Sequence, residues 1–248
     1  MELRVLGCCG GWSTAGQPCS GYLLTTARAR IWVDAGSGTF AELLRHTGLG
    51  ELDAVWISHL HPDHVVDLTQ AWQAIRYGDA RPSARLPVYG PPGWAARVGA
   101  LLPEPATEAF DAHELHSGQT IAHGDVELTA IAVPHGVPAF GLRAVAGDRV
   151  LAYSGDCGPG PEVEVVAAGA GLFLCEAYRA LPGEPDPPGT VKTPEQAGHA
   201  ATRAGARSLL LTHLHPAADP GHARERAAGA FPGPVAVAGP GEGYEVPA

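Results

Sequence analysis

Along the 248-residue chain, short apolar runs alternate with segments whose apolar positions recur every three or four residues. The runs LRVLGC, GYLLTT, ARIWVDAG, AVWISH, LPVYG, VELTAIAVPH, FGLRAV, RVLAYSGD, GLFLCEA, SLLLTHLH and PVAVAG are rich in Val, Leu and Ile. Bounded by Gly, Pro or Asp, they read as strands. Helical spacing falls at 38–46, 65–77, 92–102, 160–169, 194–205 and 219–229. Asp67, Thr193 and Asp219 stand near helix starts, and Pro194 suits a first helical turn. Trp72, Ile75 and Tyr77 on the second helical segment are expected in the core. Hairpin-like strand pairs mixed with strand–helix units predict an α/β chain of two sheets with helices outside them, as one domain over 1–248. The stretch LPGEPDPPGT, 181–190, reads as a loop.

Composition narrows the classes. Apolar residues at 45% against 17% charged describe a chain with a packed core rather than a disordered one. The net charge of −10 argues against a surface that coats nucleic acid. It does not constrain a local site, because bound divalent cations reverse the sign there. No apolar run reaches membrane-spanning length, so no membrane partner is expected. Cys8, Cys9, Cys19, Cys157 and Cys175 are odd in number and form no CxxC pair, which favours free thiols and a reducing cytoplasm.

The polar residues that interrupt this pattern sit at strand ends. WISHLHPDHVVDL, 56–68, crowds His59, His61, Asp63 and His64 directly after an apolar strand, where a dry core would leave them unsatisfied. Asp34 ends IWVD, His135 ends LTAIAVPH, Asp156 ends VLAYSGD and His213 ends SLLLTH. One strand-end His is ordinarily a satisfied core or surface residue. Five such ends together, one holding HxHxDH, point to metal, since these side chains are the types that hold zinc, manganese or iron. Layered α/β folds place their sites at such ends, where loops supply ligands over a rigid base.

The order Asp34, HxHxDH at 59–64, His135, Asp156, His213 resembles the metallo-β-lactamase superfamily from residue 1 to about residue 240. The resemblance implies a four-layer αββα sandwich with a dinuclear metal site at one edge of its two sheets. It assigns His59, His61 and His135 to one ion and Asp63, His64 and His213 to the second, with Asp156 bridging. Asp34 would be a buried carboxylate that orients a ligand, because metal-bound imidazoles need an acceptor on the far nitrogen. His61 stands where the di-iron members carry a carboxylate, and Asp156 where the main β-lactamases carry Cys, with Cys157 one residue off. Two divalent ions are expected, zinc first, with manganese or iron open. Sharing a hydroxide, they would attack an ester, with Asp63 also able to orient the water.

FLCEAYRA followed by TVKTPEQAGHAATRAGARSLLLTHLHP resembles the ribonuclease Z-like phosphodiesterases, in particular the small bacterial branch that includes cyclic-nucleotide phosphodiesterases. Cys175 departs from that branch's HEAT histidine, and Lys192 stands where it places another phosphate-contacting histidine. Only 21 positions separate His135 from Asp156, too few for the arm with which tRNA-processing members grip tRNA. A small phosphodiester is therefore the leading substrate. A tRNA 3′-processing endoribonuclease, a thioester or lactone hydrolase, and a non-catalytic metal-bound binding module remain alternatives. Homodimerisation is common in this branch. Lys192 is the only lysine in the chain. It is either a cation for the transition state or an incidental loop residue. His215, two positions after His213, is a candidate substrate contact on the same strand face.

Overall fold

The computed structural model describes residues 1–78, 82–181 and 189–248, so most of the 181–190 segment lies outside the described residues. Its first half runs β1 (Glu2–Gly7), β2 (Gly21–Thr25), β3 (Arg30–Val33), α1 (Thr39–Leu43), β4 (Ala54–Trp56), α2 (Pro62–Val65), α3 (Leu68–Tyr77), β5 (Leu86–Gly90), α4 (Trp94–Gly99) and β6 (Phe110–Glu114). The second half runs β7 (Thr120–His123), β8 (Val126–Ala132), β9 (Phe140–Ala146), β10 (Arg149–Tyr153), α5 (Pro161–Ala167), β11 (Leu172–Glu176), α6 (Pro194–Ala204), β12 (Leu209–Thr212), α7 (Pro220–Ala228), β13 (Val235–Val237) and β14 (Gly243–Glu245).

The central strands bury both faces, which is why they read as continuous apolar runs. In β3, Ile31 and Val33 face the core between the sheets while Trp32 faces helices. β4 repeats this with Ala54 and Trp56 inward and Val55 outward. On the other side, Leu172 and Leu174 of β11 point inward and Phe173 and Cys175 outward. Among the described residues two seven-stranded sheets result, ordered β14-β1-β2-β3-β4-β5-β6 and β13-β12-β11-β10-β9-β8-β7. Helices α1, α3 and α4 cover the first sheet and α5, α6 and α7 the second, giving the expected αββα layers.

Strand direction places the site. β3 and β4 are parallel, as are β10, β11 and β12, and β8 is antiparallel to β9, which is antiparallel to β10. The C-terminal ends of β8, β10 and β12 therefore open on one edge of their sheet, and β3 and β4 bring theirs to the same edge. Local chemistry holds the connections. Thr193 caps α6, accepting from Gln196 N–H while the Gln196 side chain accepts from Thr193 N–H, and Gly205 ends the helix at φ 64°. Asp67 precedes α3, but its carboxylate accepts from Phe40 N–H at 2.8 Å and so ties α3 to α1.

Three expectations change. The helical segment 65–77 is two helices, because Pro62 starts α2 and the chain turns at 66–67 before α3. Tyr77 is 61% exposed, since α3 ends there and turns its last residue out of the core that holds Trp72 and Ile75. β6, β7 and β14 are additional strands, all at sheet edges.

Candidate metal centre

Each strand end delivers one polar side chain to the shared edge. Asp34 follows β3 with φ 57°, and His213 follows β12 with φ 54°. These are the described residues other than glycine in the left-handed region. Such strain persists where surrounding contacts hold it, commonly at functional sites. Gly36 permits the close approach of the next loop, because a Cβ there would lie 2.0 Å from the Asp63 carbonyl oxygen.

Asp34 is fully buried and organises the donors from behind. Its Oδ1 accepts from Ser58 N–H (2.7 Å), and its Oδ2 accepts from Ser58 Oγ–H (2.7 Å), Tyr153 OH (2.7 Å) and His64 Nδ1–H (2.8 Å). That bond leaves the lone pair of His64 on Nε2, facing the cluster. Ser58 Oγ, its proton given to Asp34, accepts from His59 Nδ1–H at 3.1 Å. His135 Nδ1–H donates to the Thr190 carbonyl at 2.7 Å. His59 and His135 thereby also present bare Nε2 atoms. Gly11 N–H fixes Asp63 Oδ2 at 2.9 Å.

The candidate ligand atoms converge as two sets of four, His59, His61, His135 and Asp156, and Asp63, His64, Asp156 and His213, each set lying within 4.8 Å. His61 Nδ1 is 3.0 Å from His59 Nε2 and 3.3 Å from His135 Nε2. His213 Nε2 is 3.1 Å from Asp63 Oδ2 and 3.4 Å from Asp156 Oδ2, and His64 Nε2 is 3.3 Å from Asp156 Oδ1. Ligands held tetrahedrally at about 2.0–2.1 Å from zinc would stand about 3.3 Å apart, so the spacing fits the edges of two such sites. His64 Nε2 and Asp156 Oδ1 are buried without a hydrogen-bond partner, a costly arrangement that a cation would relieve. Burial alone would raise the Asp156 carboxyl, but His213, His64 and His59 overcome it and hold it well below its ordinary range. Burial and the neighbouring His64 hold His59 well below its ordinary value, keeping its lone pair available.

Thus His59, His61, Asp63, His64, His135, Asp156 and His213 are brought together, with Asp34 behind them. Lys192 is not among them. Its side chain is fully buried, and Nζ donates to the Cys157 carbonyl (2.8 Å), the Gly158 carbonyl (2.9 Å) and Cys157 Sγ (2.7 Å). All three ammonium donors are used, so neither a phosphate contact nor an incidental loop position describes it. It clamps the loop that follows Asp156. Cys157 is correspondingly turned onto Lys192 and away from the donors. His215 lies beside the centre, its ring 5.4 Å from Tyr178, which is 5.5 Å from the His213 ring. Trp12, half exposed, packs edge-on against His215 at 5.2 Å.

Several contributors carry no metal-type signal in the sequence. Ser58 and Tyr153 look like ordinary strand residues until they meet at Asp34. Glu176 is a fully buried carboxylate that accepts from the N–H groups of Cys157 (3.1 Å), Lys192 (3.0 Å) and Tyr178 (3.0 Å). Burial and the nearby Asp156 push its carboxyl up to about 7 against the opposing pull of Lys192.

Comparison with known proteins agrees with this geometry. Residues 29–214 match the model of the Beta-lactamase superfamily domain. The chain is 33% identical to the uncharacterized protein Rv1339 of Mycobacterium tuberculosis over 99% of this chain and 92% of that protein. It is 28% identical to the probable metallo-hydrolase YhfI of Bacillus subtilis over 99% of this chain and all of that one. The crystal structure of YhfI superposes with a TM-score of 0.88, covering 98% of this chain and 99% of that one at 26% identity. A ribonuclease Z of Mycobacterium sp. (strain KMS) is 30% identical over 73% of each chain. With YhfI sharing its fold end to end and a family model matching most of its length, the chain belongs to the beta-lactamase superfamily.

Proposed function

We propose that the protein hydrolyses a small phosphodiester, such as a cyclic nucleotide, at a dinuclear zinc centre. The observation that carries the reading is the pair of donor sets joined by Asp156, built from imidazole and carboxylate with no thiolate. Paired divalent cations in such a site supply Lewis acidity and a water acidified enough to attack at neutral pH. His59, His61 and His135 would hold one, and Asp63, His64 and His213 the other.

The chain's own groups do the rest. The Gly11 N–H keeps Asp63 Oδ2 turned into the cluster, where it can also orient an attacking water. His215 Nδ1 accepts from Ala217 N–H at 3.1 Å, which places its ring proton on Nε2. A proton held there can pass to the departing oxygen of the ester. Trp12 and Tyr178 pack edge-on against His215 and hold its ring in place.

The connection between His135 and Asp156 favours a small substrate. β9 and β10 are joined by Gly147 and Asp148 alone, so this hairpin offers no arm for the body of a tRNA. That supports a small diester over tRNA 3′ processing.

The test is a turnover screen of metal-loaded protein against bis(p-nitrophenyl) phosphate, p-nitrophenyl phosphate, cyclic AMP, a precursor tRNA, an acyl thioester and a β-lactam. Diesters should be cleaved faster than the monoester, whose additional charge suits a diester site poorly. Efficient tRNA processing with cyclic AMP ignored would reverse the ranking.

A further inference from the structure

On the His61 side, the donor cluster adjoins a cavity of about 270 Å³ whose wall includes Leu60, Pro91, Pro92, Arg97 and Pro138. Pro91, Pro92 and Arg97 come from the β5–α4 turn and α4, on the first sheet. Pro138 comes from the β8–β9 connection that also carries His135, on the second. The cavity thus bridges the same two sheets as the donors and is continuous with them through His61. Leu60 and Arg97 also form part of a second cavity of about 230 Å³, whose remaining wall is almost wholly apolar and includes Val65, Val98 and the exposed Leu101.

Arg97 is set apart by its place, since Arg28, Arg85, Arg207 and Arg224 likewise have no side-chain partner among the described residues but line neither cavity. Arg4, Arg30, Arg45, Arg76, Arg149, Arg203 and Arg226 each pair with a glutamate. Arg97 is exposed and, among the described residues, its guanidinium has no ion-pair or hydrogen-bond partner. It stands at the rim of an apolar cavity next to the candidate reaction centre. A guanidinium offers a flat cationic face and a planar fork of donors, which suit a ring bearing acceptors.

We propose that this cavity binds the non-reacting arm of the substrate, that the arm is a nucleobase, and that Arg97 is the specificity-determining residue that recognises it. The inference rests on the phosphodiester reading and adds the identity of the arm. Rigid proline rings give the cavity flat apolar walls, and its volume suits a single base, below the usual range for larger ligands. An acyl chain would gain nothing from the cation and would instead run past Leu60 into the second cavity.

Two esters with one leaving group test it: the p-nitrophenyl ester of thymidine 5′-phosphate and methyl p-nitrophenyl phosphate. In metal-loaded wild-type protein the nucleoside ester should have a KM lower by about tenfold, the scale of one guanidinium–ring contact. Arg97→Ala should collapse that ratio towards unity through KM rather than kcat, and Arg97→Lys should restore part of it, lacking the planar face. An unchanged ratio in Arg97→Ala would overturn the proposal. Calorimetry with thymidine 5′-phosphate gives a readout independent of turnover. Wild type should bind it about tenfold more tightly than Arg97→Ala. Equal binding, or none by wild type, would overturn the subsite. If neither diester is turned over while the nucleotide still binds through Arg97, the phosphodiesterase reading fails and the subsite stands. Acyl thioesters whose KM falls with chain length, independently of Arg97, would assign the cavities to an acyl chain and overturn the proposal.

Discussion

Lys192→Met separates a clamp from a substrate contact. Methionine keeps most of the buried stem and removes only the ammonium. The Cys157 and Gly158 carbonyls, at 2.8 and 2.9 Å from Nζ, then lose a donor in a site closed to water. An unsatisfied buried group costs about 1–3 kcal/mol, so the two together cost about 2–6 kcal/mol. For a chain of this size, that lowers Tm by about 4–24 °C. Asp156 immediately precedes Cys157, so the freed loop also loosens the carboxylate shared by both donor sets. Metal affinity should fall by about 10–100-fold, as when a partner that orients a ligand is lost. Denaturant unfolding and competition titration with a chromophoric chelator measure the two effects. A lysine that touched substrate would behave in the opposite way, with Tm and metal content unchanged and kcat down by about 10²–10³. That second pattern would refute the clamp.

Other outcomes follow from the same contacts. Asp34→Asn cannot serve as a full acceptor for Ser58, Tyr153 and His64 at once, so it should weaken metal binding by about 10–100-fold, with the Asp63–His64–His213 set affected more. Site-resolved metal titration would show this, and equal loss at both sets would contradict the role given to His64. All five cysteines are free. Burial pushes the thiols of Cys8 and Cys19 up to about 12 and that of Cys157 up to about 11, against the pull of Lys192. At mildly alkaline pH, Ellman's reagent should therefore find these three unreactive in the native protein and reactive in guanidinium, and rapid native labelling of Cys157 would argue against the buried clamp.

What could be read from the sequence divides along physical lines. Strands buried on both faces, such as IWV and AVW, leave apolar runs that need no tertiary context. The polar ends that break those runs mark the site, and HxHxDH fixes four donors by local spacing alone. Edge strands escaped the same logic. β6 (FDAHE) and β7 (TIAH) leave one face to solvent, so no run distinguishes them from loop. The Pro, Gly and Thr around Lys192 suggest a solvent-exposed loop, so nothing local marks it as a buried clamp. Its three acceptors are set by 157–158, more than thirty residues away, and only the fold brings them together. Glu176 shares that difficulty: it ends an apolar strand like a surface residue, yet it accepts three backbone N–H groups in the interior.

The most direct test of the account is an anomalous difference map, collected at the zinc edge, from crystals of the zinc-loaded protein. Two peaks per chain are expected, one among His59, His61 and His135 and one among Asp63, His64 and His213, with Asp156 contacting both. Zinc bound elsewhere, or a map with neither peak from protein that retains full turnover, would contradict it.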